Sequence, residues 1–401
     1  MERGMLKVKQ KRIALNSNHA VAYAVRDAHV DVIAAYPITP QTTIMEKLSE
    51  MVANGEIDAE LIHVESEHSA LSAVIGASAA GARVFTATSS QGLELMHEIL
   101  HIASGMRLPI VMAVPTRALS APISIWNDYS DLMNARDSSW ITIIASTAQE
   151  VYDSIIQAYM VAEDPRVLLP FMVAYDGFLM SHTSEPLSLP EDSSAIRDLV
   201  PRRDRIKLDT DKPVTMGTIT DPRWYYEIKY QQVKAMQNAS IVLKETSKTI
   251  YEVLGRKYDP VEAYRMDNAE IAILTYGGLF GTVQEAVDII RDKGLNIGAI
   301  RLRQWRPFPT EELTHLMHDI DTIIVIDRAI SYGASIQGPV ALEVYPIAAR
   351  MGVQVFSVIA GIGQRTVLEN DVLGIVNKIL DYLDQGVIPI RSIYWGVRGG
   401  E

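Results

Sequence analysis

From Val30 to Val173 the chain alternates short apolar runs with helical patterns. Val30 to Ala35 reads as a strand, Thr42 to Asn54 as a helix, Leu61 to Val64 as a strand and His68 to Ala80 as a helix rich in Ala, Ser and Gly. Arg83 to Ala87 and Pro109 to Ala113 follow as strands around a helix from Gly92 to Ala103, and a helix from Ala148 to Glu163 precedes a strand from Val167 to Val173. Strands that alternate with helices build βαβ units and a parallel sheet. The pattern fails from about Thr183 to Asp267, where prolines recur and a Lys- and Gln-rich helical stretch runs from about Tyr225 to Leu254. That stretch reads as a connecting arm on a domain surface rather than as core. Alternation then resumes with strands at Glu270 to Thr275, Ile297 to Leu302, Thr322 to Asp327 and Val353 to Ile359. The intervening helices run from Thr282 to Lys293, Glu311 to His318, Gly338 to Ala349 and Glu369 to Leu383. Two α/β domains are expected, the second the smaller.

The chain has 401 residues, 48% hydrophobic and 21% charged, with a net charge of -12. The acidic balance argues against nucleic acid or an anionic membrane surface as the main partner. No apolar run approaches the roughly 18 residues of a membrane span. Lys7, Lys9, Lys11 and Arg12 are not followed by an apolar signal core, so a cytoplasmic protein is expected. There is no cysteine. Thiol catalysis and cysteine-ligated iron–sulfur clusters are therefore excluded within this chain.

Polar groups cluster after the apolar runs, where open α/β sheets place their ligands. Tyr36-Pro37-Ile38-Thr39-Pro40 follows the first run, Glu65-Ser66-Glu67 the second, and Thr116-Arg117 the strand after Pro109. A carboxylate such as Glu67, set between a strand and a small-residue helix, is costly to bury without a partner. It either hydrogen-bonds a ring nitrogen or serves as a first-turn acid complementing the helix dipole. Glu65, two residues earlier, points to the other side of extended backbone. Thr39, stiffened by Pro37 and Pro40, can bind a small anion or cap the next helix. Arg117 can clasp a carboxylate or form a structural salt bridge. Asn127, Asp128, Asp131, Arg136 and Asp137 read as a charged loop network. Gly277-Gly278-Leu279-Phe280-Gly281 reads as a tight strand-to-helix turn, since its spacing lacks the dinucleotide fingerprint and no Walker lysine follows. Gly76 and Gly81 suit a helix packed closely on a sheet or on another subunit. His63, His68, His97 and His101 show no metal-ligand spacing and read as structural or pocket-lining.

Taken in order, these motifs are specific. Tyr36 to Pro40, Ser66-Glu67, Thr86-Ala87-Thr88-Ser89-Ser90-Gln91-Gly92, Arg107-Leu108-Pro109, Thr116-Arg117-Ala118 and Arg301-Leu302-Arg303-Gln304-Trp305-Arg306-Pro307-Phe308-Pro309 occur in that sequence. The chain resembles the alpha subunit of the 2-oxoacid:ferredoxin oxidoreductases, most closely the pyruvate type. The resemblance implies an α/β fold with two parts. A thiamine-diphosphate-binding parallel sheet of the transketolase pyrimidine-domain type would occupy residues 1–250, with the connecting arm from about 183. A transketolase C-terminal-like α/β domain would occupy 265–401.

It also implies a divided active site. A beta subunit would grip the diphosphate and hold Mg2+ through a Gly-Asp-Gly motif, which this chain lacks. Glu67 matches the glutamate that contacts the aminopyrimidine ring and favours its imino tautomer. Arg117 and Thr39 match positions that hold the 2-oxoacid carboxylate, and Tyr36, Pro37 and Ile38 would border the cofactor. The implied reaction converts pyruvate and coenzyme A to acetyl-CoA and CO2. Electrons would pass to ferredoxin through [4Fe-4S] clusters on gamma- and delta-type partner chains. The alternatives are the same chemistry on a branched-chain 2-oxoacid, an aryl glyoxylate or oxalate, a lipoyl-linked 2-oxoacid dehydrogenase component, and a non-catalytic scaffold.

Overall fold

The computed structural model describes residues 8–399, so Lys7 lies outside the described residues. Seven strands form the larger sheet, in the spatial order Gln304–Arg306, Ile141–Ile144, Phe171–Asp176, Ile110–Thr116, Val84–Ala87, Val32–Ala34, Glu60–Ile62. All pair in parallel except Gln304–Arg306, which runs antiparallel to Ile141–Ile144. Every residue of Ile110–Thr116 and Phe171–Asp176 is buried. Such continuous apolar strands are what a sheet covered on both faces requires.

A second sheet of six strands has the order Ile393–Tyr394, Gln354–Ile359, Thr322–Asp327, Ile271–Thr275, Ile297–Leu302, Val261–Tyr264. Only Val261–Tyr264 runs antiparallel within it. Three apolar cores result. One lies between the larger sheet and the helices Ser17–Asp27, Ala148–Ala162 and Pro222–Leu254. Another is continuous from the larger sheet, through Met112, Val114 and Trp140, to Leu274, Leu302 and Val325 of the smaller sheet. The last packs Leu279–Asp292 and Glu369–Asp384 on the outer face of the smaller sheet.

The main alternation of strand and helix matches the sequence reading, with Ile297–Leu302 and Thr322–Asp327 at the expected residues. The strand Gln10–Leu15, the helix Ser17–Asp27 and the strand Ile141–Ile144 were not anticipated, and three further features differ. The stretch from Gly92 to Ala103 is two helices, Gln91–Leu95 and His97–Gly105, meeting at Met96. The surface arm is half correct. Residues 201–221 form an extended, largely exposed segment, but Pro222–Leu254 buries Ala235, Ala239, Val242, Leu243, Ile250 and Val253 in the first core. Its buried positions recur three and four residues apart among many polar ones, a narrow apolar stripe that composition alone conceals. The strand Gln304–Arg306 crosses from the later part of the chain to complete the sheet of the earlier part.

That crossing brings a buried charge network. Arg301 Nη1 donates to Glu150 Oε2 at 2.7 Å, and Arg303 Nε donates to Glu150 Oε1 at 2.6 Å. Arg303 also donates through Nη2 to Ser154 Oγ at 3.0 Å and Gln157 Oε1 at 2.9 Å. Burial alone would push the Glu150 carboxyl up, but the two guanidiniums outweigh it and hold it at about 2. A second tie is the buried pair of Arg328 Nη1 and Asp176 Oδ2 at 2.8 Å. Among the described residues no helix is long and apolar enough to cross a membrane.

Candidate active site at the strand ends

Glu67 is the first residue of the helix Glu67–Ala79, capped by Ser66, whose hydroxyl accepts the Ser69 N–H at 3.2 Å. The side chain is 7% exposed, yet no hydrogen bond to its carboxylate forms among the described residues. Below it, Gly92 has no room for a side chain. A Cβ there would stand 2.3 Å from Thr88 Oγ1 and 2.6 Å from Glu67 Oε1. Thr88 Oγ1 is itself buried without a hydrogen-bond partner. A carboxylate with no hydrogen bond among the described residues, set beside a fully buried hydroxyl that lacks a partner, is an arrangement that a polar ligand would complete. Glu65, by contrast, is exposed and accepts the Ser69 hydroxyl, as the alternation of extended backbone predicted.

Tyr36, Pro37 and Thr39 are exposed on the loop after Val32–Ala34, and Ile38 is half-buried. Gln41 forms the boundary of the next helix, so Thr39 does not cap it. The Thr39 carbonyl instead accepts Arg117 Nη1 at 2.9 Å. Arg117 Nε donates to the Ser124 carbonyl at 2.8 Å. Two backbone oxygens thus hold the guanidinium, and Nη2 makes no hydrogen bond among the described residues. Burial lowers the Arg117 guanidinium from its ordinary value, and nearby Asp131 opposes that shift.

The expected loop network divides. Asn127, Asp128 and Asp131 are buried, whereas Arg136 and Asp137 pair at the surface. Asp131 accepts the backbone N–H groups of Ser90 and Arg117 and so joins the Thr88-to-Gly92 turn to the Arg117 strand end. No local pattern separates Asp131 from its acidic neighbours, because its hydrogen bonds reach two segments distant in the chain. The Gly277 turn is tight, with φ +65°, and its Cβ position is filled by the Tyr129 hydroxyl and Asp176. Gly76 is exposed with nothing within 4 Å of a Cβ, so the close approach its neighbours permit is not made among the described residues. His101 lines a cavity of about 450 Å3 against the long helix, with Lys229 and Val233.

The residues fit a cofactor ring better than they fit each other. Glu67 offers an acceptor, Thr88 a donor and acceptor, and Gly92 a flat floor. Residues 23–248 match the family model described as pyruvate flavodoxin/ferredoxin oxidoreductase, thiamine diphosphate-binding. Residues 269–372 match the pyruvate:ferredoxin oxidoreductase core domain II. The pyruvate synthase subunit PorA of Methanocaldococcus jannaschii is 47% identical over 369 residues, covering 91% of this chain and 94% of that protein. The ketoisovalerate oxidoreductase subunit VorA of Pyrococcus abyssi is 40% identical over 395 residues, covering 98% of this chain and 99% of its own length.

Among solved structures, a 2-oxoglutarate:ferredoxin oxidoreductase from Magnetococcus marinus shares the fold at TM-score 0.71 and 20% identity. That alignment covers 92% of this chain and 65% of the longer one. A split-gene transketolase shares it at TM-score 0.54 and 12% identity, covering 92% of this chain and 99% of its own. The α/β, transketolase-like architecture expected from the motifs is therefore present, and the chain belongs to the pyruvate:ferredoxin oxidoreductase family as an alpha-type subunit carrying the family's thiamine diphosphate-binding domain.

Proposed function

We propose that this chain supplies the ring-binding and carboxylate-binding half of a pyruvate:ferredoxin oxidoreductase, acting on pyruvate and coenzyme A. The observation that carries this reading is the unpaired Glu67 carboxylate beside the orphaned Thr88 hydroxyl, over Gly92, in a chain of this family. Thiamine diphosphate, when bound, supplies a nucleophilic carbon and an electron sink for decarboxylation. Glu67 would accept a hydrogen bond from a proton-bearing ring nitrogen and so favour the tautomer that carries the basic imine. Tyr36, Pro37 and Ile38 border the ring from the neighbouring strand end. Arg117 presents Nη2 to the substrate carboxylate, and the Thr39 hydroxyl completes that contact from the same loop whose carbonyl orients the guanidinium.

The division at residues 1–250 and 265–401, with an arm from about 183, is part of this reading. The family models covering 23–248 and 269–372 support it. The diphosphate, its Mg2+ and the [4Fe-4S] clusters are assigned to beta, gamma and delta-type partner chains in the cytoplasm. The absence of cysteine and of a Gly-Asp-Gly motif in this chain supports that assignment. A branched-chain 2-oxoacid is the second reading, favoured by the VorA relative at 40% identity against 47% for PorA.

Two measurements test the proposal. The isolated chain is expected to bind thiamine diphosphate weakly by calorimetry, and the assembled complex tightly. Turnover of the complex is expected to be faster with pyruvate than with 2-oxoisovalerate. Tight binding by the single chain overturns the divided site, and preference for 2-oxoisovalerate overturns the choice of substrate.

A further inference from the structure

Ring and substrate recognition leave one buried acid near the site unexplained. Asp131 is fully buried in the short helix Ser130–Asn134. Its Oδ2 accepts two backbone N–H groups from different segments, Ser90 at 2.8 Å and Arg117 at 3.0 Å. Its Oδ1 accepts the Leu132 N–H at 2.8 Å. The Ser90 hydroxyl adds a second tie across the same gap, 2.7 Å from the Ala118 carbonyl.

Ser90 stands at φ +51°, ψ -124°, a conformation that non-glycine residues rarely hold. Such a residue persists only where its surroundings over-determine it. Two residues on lies Gly92, whose Cα forms the floor under Glu67 and Thr88. One carboxylate oxygen therefore sets the spacing between the ring-facing floor and the strand end that carries Arg117. The helix bearing Asp131 is itself fastened from the smaller sheet. Tyr129 N–H donates to the Arg328 carbonyl at 2.9 Å, Gly363 N–H to Asp128 Oδ2 at 3.1 Å, and Asn127 N–H to Gln364 Oε1 at 3.2 Å.

The geometry points to Asp131 as a positioning residue that locks the Thr88-to-Gly92 floor to Arg117, so that cofactor ring and substrate carboxylate are held in one fixed relation. This inference rests on the roles proposed above for Glu67 and Arg117.

The test uses the complex assembled with its partner subunits. Asp131→Ala leaves three buried N–H groups unpaired, those of Ser90, Arg117 and Leu132, and frees both segments. It is expected to raise the KM for pyruvate about tenfold and to weaken thiamine diphosphate binding about fivefold, with a loss of the circular-dichroism band of the bound ring tautomer. Asp131→Asn retains one oxygen for the Ser90 and Arg117 N–H groups and loses only the local Leu132 contact, so all three readouts are expected to return most of the way from the Ala values toward the native ones. An effect of Asp131→Ala on only one of the two binding constants, or equal defects in Ala and Asn, overturns the coupling. Arg117→Lys and Glu67→Gln run alongside. If neither alters substrate binding or the tautomer band, the site reading fails and the proposal falls with it, a pattern distinct from failure of Asp131 alone. Should Asp131→Ala not assemble, amide exchange in the native complex decides. Ser90 and Arg117 are expected to open at one shared rate, and rates more than about tenfold apart overturn the lock.

Discussion

Glu150 and Glu67 make an instructive pair. Each lies in the first turn of a helix packed on the larger sheet, each helix begins at a hydroxyl cap, and each carboxylate is buried. Their surroundings are opposite. Glu150 receives two guanidiniums and the Ser146 N–H, with every partner supplied by this chain. Glu67 faces an orphaned hydroxyl and a bare glycine. The same residue type in the first turn of a helix is a seam in one place and, on the function proposed above, one wall of a binding site in the other. Completed hydrogen bonding marks structure, and an unpaired buried acid marks where another molecule belongs.

The sharpest way to break the comparison is Glu67→Gln. It is expected to lower turnover of the assembled complex by about 10^2- to 10^4-fold, the range for loss of proton-transfer chemistry, while melting and assembly stay native. A stability loss without a rate loss would make Glu67 a second seam. Glu150→Gln should do the reverse. Removing the central charge of the buried cluster leaves Arg303 without a carboxylate and Arg301 with Glu262 alone, and costs about 3–5 kcal/mol, read by denaturant unfolding. The turnover of whatever remains folded is expected to change little.

Gly92→Ala places a methyl 2.3 Å from Thr88 Oγ1 and is expected to weaken thiamine diphosphate binding at least about tenfold by calorimetry, whatever the substrate. The smallest effect is expected of Glu65→Gln, two residues from Glu67 but exposed. Less than about a threefold change in either rate or binding would show that position, not mere charge, makes the site.

Acid and base sharpen the contrast further. Glu150 is held at about 2, below its unfolded value, so its contribution is full above about pH 4.5 and is lost as pH falls toward 2. Burial pushes the Asp131 carboxyl up to about 7, against the backbone N–H groups it accepts, so the folded state holds its proton more tightly than the unfolded one. Its contribution therefore runs the other way, with stability lost as pH rises from about 4 through 7. Unfolding free energies measured across pH are expected to flatten on the acid limb in Glu150→Gln and on the neutral limb in Asp131→Asn.

The alternation of strand and helix was legible because apolar periodicity is a local property. Glu67, Thr39 and Arg117 each follow an apolar run at the end of a parallel strand, which is what singled them out, and the structure brings Thr39 and Arg117 into direct contact. Composition hid the core-facing stripe of Pro222–Leu254 beneath its Lys and Gln residues. The strand Gln304–Arg306 is too short to announce itself, and its pairing partner lies far back in the chain.

What the residues settled alone is a two-part α/β chain, the family it belongs to, and the absence of any thiolate chemistry, because pattern, motif order and composition need no third dimension. Which buried acid is satisfied and which is left waiting was decided only by folding. Arg301 and Arg303 reach Glu150 across the strand crossing, and nothing in the described chain reaches Glu67. Such a difference arises from contacts between segments distant in sequence, which a local pattern cannot encode.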